Sequence, residues 1–340
     1  MIDLSGPVRD WSDRLLARFR DCHQNALRSR AWWKPPGWRG EPELLDRLAE
    51  MFGNPVDRTV VNGGVRQFTT SWAVGTAAAV VEAPTFADIP EILGSGARLR
   101  RTEWTCLTDG SLADEAPSTI WLTSPFRNPD GRSLDPVLTR AADEATGQGH
   151  TVVVNQVYRW FGDICSAPVA PATAWTVTSL AKMAGNGVRL GWATAPATDE
   201  VTRTLTSDGP PTAWQRAWAR FLIPRNLQAL WADCVEPTVE ARQAFVCRTG
   251  ELLGWQIHGG GPSLVLDCVD TDEVAAVALL AERGLRVSTG SAFGSPRACV
   301  RLSFSGTTVA EAEAAADRVA SRARLFRPSG APEASANGER

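Results

Sequence analysis

Along the first two-thirds of the chain, short runs of apolar and β-branched residues alternate with longer stretches of helical period. The runs fall at residues 59–61, 78–82, 119–123, 151–154 and 175–178, each too short for a helix and too continuous for a half-exposed strand. Runs of this kind mark strands buried on both faces, so the pattern predicts a mainly parallel α/β sheet with helices on either side. Residues 11–30 have a charged helical character, and residues 43–51 form a helix with Leu44, Leu45, Leu48 and Met51 on one stripe. Between them, residues 31–38 read as an aromatic loop broken by Pro35 and Pro36. A long helical stretch begins near Trp214. It leads to a second pattern, with strands at 263–268, 285–288 and 299–304 and helices at 272–282 and 309–325, which describes a smaller α+β unit. The expected division is 1–39, an N-terminal helix and loop belonging to the smaller domain or the mouth of the site; 40–213, a large domain; 214–327, the smaller domain; and 328–340, a Pro-, Gly-, Ala- and Ser-rich tail expected to be disordered.

Composition narrows the classes. A 340-residue chain that is 44% hydrophobic has enough apolar content for two cores. Its net charge of −3 gives no basic face, so nucleic acid and an anionic membrane are poor partners. No apolar run approaches the roughly 18 residues of a membrane span, and Met1 to Gly6 carry no charged-then-apolar signal. The seven cysteines form no Cys-x-x-Cys pair and are odd in number, which points to reduced thiols and a cytoplasmic protein. His23, His150 and His258 are dispersed, and no metal site is expected. Lysine is the unusual count: of 35 Lys and Arg residues, only Lys34 and Lys182 are lysine. Arginine stays charged at physiological pH, so a lysine kept in such a chain can be one whose amine must lose its proton; chance survival is the alternative.

Five segments carry candidate chemistry. Residues 61–67 run from a strand through Gly63 and Gly64 into a helix, either a plain turn or an anion cradle of backbone N–H groups with Arg66 beside it. Residues 123–131 place Asn128 at a strand end, as an Asn-Pro turn or as an amide facing a ligand. Residues 154–160 contain Tyr158, the one tyrosine in a chain with 14 tryptophans; it is a satisfied core residue or a phenol kept for its hydroxyl. Around Lys182 stand Ser179 and Arg189, a hydroxyl and a guanidinium suited to a phosphate. Farther on, Arg301 lies on an expected strand, with a fork that fits a carboxylate.

From about Gly40 to Leu325, this ordered set resembles the fold-type-I pyridoxal-phosphate enzymes of the aminotransferase class I and II superfamily. Residues 123–131, Tyr158-Arg159-Trp160 and 189–193 are most similar to the versions in its alliinase and tryptophan-aminotransferase group. The resemblance implies an aspartate aminotransferase-like fold: a doubly wound, seven-stranded sheet with a smaller C-terminal domain. It implies pyridoxal 5'-phosphate as cofactor, an amino-acid substrate and a homodimer. Lys182 would form the Schiff base and shuttle the substrate's α-proton. Tyr158 and Asn128 would bond the ring oxygen; Gly64, Val65, Arg66, Ser179 and Arg189 would hold the phosphate; Phe86 would stack on the ring; and Arg301 would bind the α-carboxylate.

Departures from the family pattern bear on the reaction. Asn155 stands where the family has an aspartate that keeps the ring nitrogen protonated, and an amide supplies no such charge. The consequence is either a carbanion more localised at the α-carbon, which favours elimination, or a weakened aminotransferase, or a ring nitrogen served by another acid such as Asp163. The interval from Lys182 to Arg189 is one residue shorter than usual, Ala181 replaces a common serine, and Trp33 falls near a tyrosine that touches the partner subunit's phosphate. Arg66 is the candidate to make up for the last two. The expected function is therefore an aminotransferase, with a compact chain and short N-terminal arm hinting at specialised biosynthesis. The competing classes are a lyase or replacement enzyme that expels a β- or γ-substituent, and a non-catalytic relative.

Overall fold

The computed structural model describes residues 1–6, 10–30, 32–112, 115–164, 169–200 and 209–329. Strand β1 (Ile2–Asp3) is followed by the seven strands of the main sheet: β2 (Thr59–Asn62), β3 (Ala78–Glu82), β4 (Arg98–Thr102), β5 (Thr119–Thr123), β6 (Thr151–Asn155), β7 (Trp175–Ser179) and β8 (Gly191–Thr194). Their spatial order is β2-β8-β7-β6-β5-β3-β4. Only β8 runs against its neighbours, so the sheet is mainly parallel. The helices among these strands are α1 (Asp13–Leu27), α2 (Pro42–Phe52), α3 (Val65–Ala73), α4 (Asp88–Gly94), α5 (Pro136–Gly147) and α6 (Ala181–Ala184).

Alternate strand residues feed opposite faces, as a period of two requires. Val80, Ile120, Leu122, Val152 and Val154 pack with Ala142 and Ala145 of α5. Ala79, Val81, Trp121, Val153 and Val177 pack with Phe68 of α3 and with Ile89 and Leu93 of α4. The apolar stripe of α2 enters a third cluster through Leu44, Leu45 and Leu48, beside Leu15 and Phe19 of α1 and Trp192 of β8. Each such leucine contributes about 1.5–3 kcal/mol on burial. Helix α2 starts at Pro42 and stops at Gly53, whose φ of 70° is the left-handed cap that glycine adopts without strain.

The long helical stretch is three helices, α7 (Thr212–Phe221), α8 (Pro224–Cys234) and α9 (Glu236–Leu253). Proline in the first turn of α8 and of α9 enforces the breaks. Helix α7 begins at Thr212, so a boundary at 213/214 falls inside its first turn. It packs with α1 and α2, and Arg216 of α7 binds Glu41 at the head of α2 at 2.6 Å. The second core combines α9, β9 (Ser263–Cys268), α10 (Glu273–Glu282), β10 (Leu285–Arg286), β12 (Cys299–Ser303), α11 (Val309–Ala320) and β13 (Phe326–Pro328), with the polar β11 (Ser288–Thr289) at the edge of its sheet. Strands β11-β12-β9-β13 form an antiparallel sheet, and β1 pairs with β10.

Three expectations are corrected. The strand at 285–288 is two short strands in different sheets. The helix at 309–325 ends at Ala320. The tail does not begin at Pro328, which pairs with Leu266, and the Ser329 N–H donates to Val265. The expectation of disorder for 330–340 lies outside the described residues. No described helix is long and apolar enough to cross a membrane.

Candidate active site

In a parallel sheet, the crevice beyond the carboxyl ends of the strands is where ligands bind. A cavity of about 370 Å³ opens at that edge, a size usual for a small-molecule site. Gly64, Val65, Arg66, Phe86, Asn128, Asn155, Tyr158, Ser179, Lys182 and Arg189 all line it. They come from five strand ends and are brought together from more than a hundred positions of sequence.

Each local arrangement has a physical cause. After β2, the Asn62 side chain accepts the Gly64 N–H at 2.8 Å, and Gly64 enters α3 with φ 104°. No side chain caps α3, so its first N–H groups and the positive end of its dipole face the cavity, ready for an anion. Gly191 of β8 lies directly beneath: a Cβ there would meet the Thr178 carbonyl oxygen at 2.5 Å and Gly64 Cα at 2.8 Å. The Arg66 guanidinium pairs with Asp88, so what this residue offers the cavity is its backbone rather than its charge.

After β7, Ser179 holds the Ala181 N–H through its Oγ at 3.3 Å, starting the turn that carries Lys182. The indole of Trp160 donates to the Ser179 carbonyl at 2.7 Å and braces that strand end. The Lys182 Nζ lies 5.8 Å from the centre of the Tyr158 ring, and no described acid lies within ion-pair distance of it. Arg189 follows a tight turn at Asn186–Val188 and adopts a left-handed φ of 47°, which returns it to the cavity beside Gly63 despite the short interval from Lys182.

Asn155 is buried, and its Oδ1 accepts the Val157 N–H at 3.1 Å, leaving its Nδ2 free to donate. Asp163 is exposed and is absent from the cavity lining. Asn128 Oδ1 is buried without a partner, a polar end that a bound molecule can satisfy. Arg301 is not in the lining. It is buried behind it, 4.9 Å over the Phe293 ring, with its Nε unpartnered. Burial lowers its pKa, and Tyr158 opposes that shift.

The sequence did not single out Thr123, Val157, Asn186 or Leu190 in the lining, nor Glu82 behind it. Glu82 ends β3 and is 2% exposed. Its carboxylate accepts the Thr123 N–H at 2.9 Å, the Trp104 indole at 2.7 Å and the Thr85 hydroxyl at 3.1 Å. Burial pushes its acid up to about 7, against the pull of the Arg127 guanidinium. An acidic residue closing an apolar run was the available signal. A wider hollow of about 940 Å³ adjoins the cavity through Gly63 and Arg189 and is lined by Trp32, Trp33, Lys34 and Trp214.

Residues 9–319 match the family model described as aminotransferase class I and II. Comparison with curated proteins gave no match. Among solved structures, the chain is similar to aspartate aminotransferase from Thermus thermophilus with maleate, with a TM-score of 0.77 and 23% identity over 94% of this chain and 91% of that one. It is similar to an aminotransferase from Mycobacterium tuberculosis at 0.75 and 20%, over 95% and 91%. The apo structure of BacF from Bacillus subtilis gives 0.74 and 16%, over 94% and 90%. The fold is thus aspartate aminotransferase-like.

Proposed function

This chain belongs to the aminotransferase class I and II family, and on that footing we propose that it binds pyridoxal phosphate at Lys182 and transfers the amino group of an α-amino acid. The convergence of Lys182, Tyr158 and the open end of α3 on one cavity carries the reading. The residues fit that cofactor: an uncapped helix end with Ser179 and Arg189 for the phosphate, an unsatisfied Asn128 with Tyr158 for the ring oxygen, Asn155 Nδ2 for the ring nitrogen and Phe86 for a ring face. When bound, pyridoxal phosphate supplies an aldehyde for an amine and a ring that draws electron density from the α-carbon.

Lys182 would take the proton from the substrate's α-carbon and return it two bonds away, across the amino nitrogen. Tyr158 donates its hydroxyl beside that amine. Arg301, with its unpaired Nε, takes the substrate α-carboxylate in a fork and so fixes which α-bond faces Lys182. The exposed Trp32, Trp33 and Trp38 support a homodimer that covers the adjoining hollow.

A second reading is elimination of a β- or γ-substituent, in line with the alliinase-like segments. Asn155 favours it, because its amide gives the ring nitrogen no charge. Retention of Lys182, Tyr158, Arg189 and Arg301 together speaks against a non-catalytic relative. Mass spectrometry of products from an amino-acid panel, with and without a 2-oxo acid, separates the two reactions. Amino-group exchange supports the first; pyruvate or 2-oxobutyrate with ammonia selects the second. Reconstituted protein should show a cofactor absorption band that Lys182→Ala abolishes, and a band retained in that variant would sink the assignment of Lys182.

A further inference from the structure

The β3–β5 ladder has its last register pair at Val81 and Trp121, and beyond it the two strands part to open the cavity. Parting strands orphan backbone groups, and a buried N–H without an acceptor is costly. Glu82 meets that need, taking the Thr123 N–H where the ladder has ended. Thr123 in turn lines the cavity and is the register partner of Asn155. The sheet edge therefore reads Glu82, Thr123, Asn155 across three adjacent strands.

Resting on the cofactor assignment above, we propose that Glu82 is a positioning residue that sets the charge on the cofactor's ring nitrogen in place of an acid at position 155. Asn155 holds the Val157 N–H on its Oδ1 and offers its Nδ2, a donor that suits the neutral nitrogen and brings no charge to hold the protonated one. A charge selects between them, and Glu82 is the buried carboxyl on this edge. The charged groups facing it are Arg127 from the loop after β5, held by Asp130 and Glu103, and Arg132, which with Arg127 lies over Trp104. Because burial brings the acid to about 7, the carboxyl gains its charge across neutral pH.

The expected size follows from the sheet. Two strand spacings come to about 10 Å. At that distance, with an effective dielectric of about 20, a unit charge moves a titration by roughly one pH unit. Ionised Glu82 raises the ring nitrogen's pKa by that amount; neutral Glu82 does not.

The test uses the full chain freed of cofactor and loaded with 4'-deoxypyridoxine 5'-phosphate, which keeps the ring and phosphate but has no aldehyde and forms no bond to Lys182. Its absorption distinguishes the protonated from the neutral ring, so the ring nitrogen is titrated in place. Glu82→Gln can keep the Thr123 and Trp104 hydrogen bonds on its carbonyl oxygen and present its amide to the Thr85 hydroxyl, while removing the charge. The ring nitrogen should then titrate roughly one pH unit lower than in the parent. Thr85→Val removes one donor to the carboxylate and should give a value between the two, which carries the test if Glu82→Gln does not fold. Binding with titrations unchanged in the variants that fold overturns the role of Glu82 and leaves the cofactor assignment standing. Failure of the analogue to bind the parent chain overturns both.

Discussion

Gly191 is the residue on which the phosphate end of the cavity rests. Any Cβ at that position falls 2.5 Å from the Thr178 oxygen, 2.8 Å from Asn62 Oδ1 and 2.8 Å from Gly64 Cα, and two of those three atoms are backbone. Gly191→Ala should therefore cost about 1–3 kcal/mol in denaturant unfolding. It should also lower the cofactor content of purified protein, because the atom displaced opens α3; full cofactor retention would show that the helix end is not the anchor. Glu82 gives a prediction in pH. Its folded acid, at about 7, lies above the ordinary 4.5, so the folded chain holds a proton that the unfolded chain has released. The stability linked to that proton is complete below the ordinary value and is lost as pH rises through about 7, a fall of about 3 kcal/mol. Unfolding of Glu82→Gln on both sides of that window should lack this slope. Lys182 and Tyr158 were legible in the sequence because each is rare in the chain. Glu82 was not, since its role depends on an N–H from β5 and an indole from beyond β4.

At the scale of elements, the interior strands were legible because burial on both faces leaves only apolar, β-branched residues to read, as at Thr119–Thr123. Strand β4 was missed: it lies at the sheet edge, where partial exposure admits Arg98, Arg100 and Arg101. Strands β8 and β13 were missed because β8 opens on a glycine and β13 is three residues closed by a proline, so neither shows the apolar, β-branched run that marked the others. Turns between strands and helices were set by caps. Asp135 heads α5 and accepts both the Val137 and Leu138 N–H groups at 2.8 Å, fixing the helix that covers one face of β5 and β6. Asp135→Ala should cost about 1 kcal/mol, read from the thermal midpoint. A loss far above 2 kcal/mol would mean that Asp135 holds more than the helix end.

In the whole molecule, the two sheets meet through backbone packed on a ring. Phe126, at a left-handed φ of 63°, rests on Gly260 and Gly261, and a Cβ on Gly260 would come within 2.3 Å of that ring. Beside it, the Ser263 hydroxyl donates to the Pro129 carbonyl at 2.9 Å, tying β9 to the loop that bears Asn128. Strand β12, which carries Arg301, is laid against β9 in fixed register, so this contact sets the distance between the cofactor and carboxylate groups. Gly260→Val should raise the KM for the amino acid roughly tenfold, with the absorption of bound cofactor unchanged; loss of the cofactor as well would place the damage in the first sheet instead. The division into two cores was legible from the change of pattern near Trp214, whereas this contact, made by glycines and one strained residue, has no periodic trace. One last consequence concerns the cell's stray aldehydes. With Lys182 half-buried in the cavity and Lys34 exposed on the aromatic loop, glycating sugars and excess free cofactor find a single exposed lysine side chain, so few surface amines compete for the Schiff-base chemistry proposed for the interior.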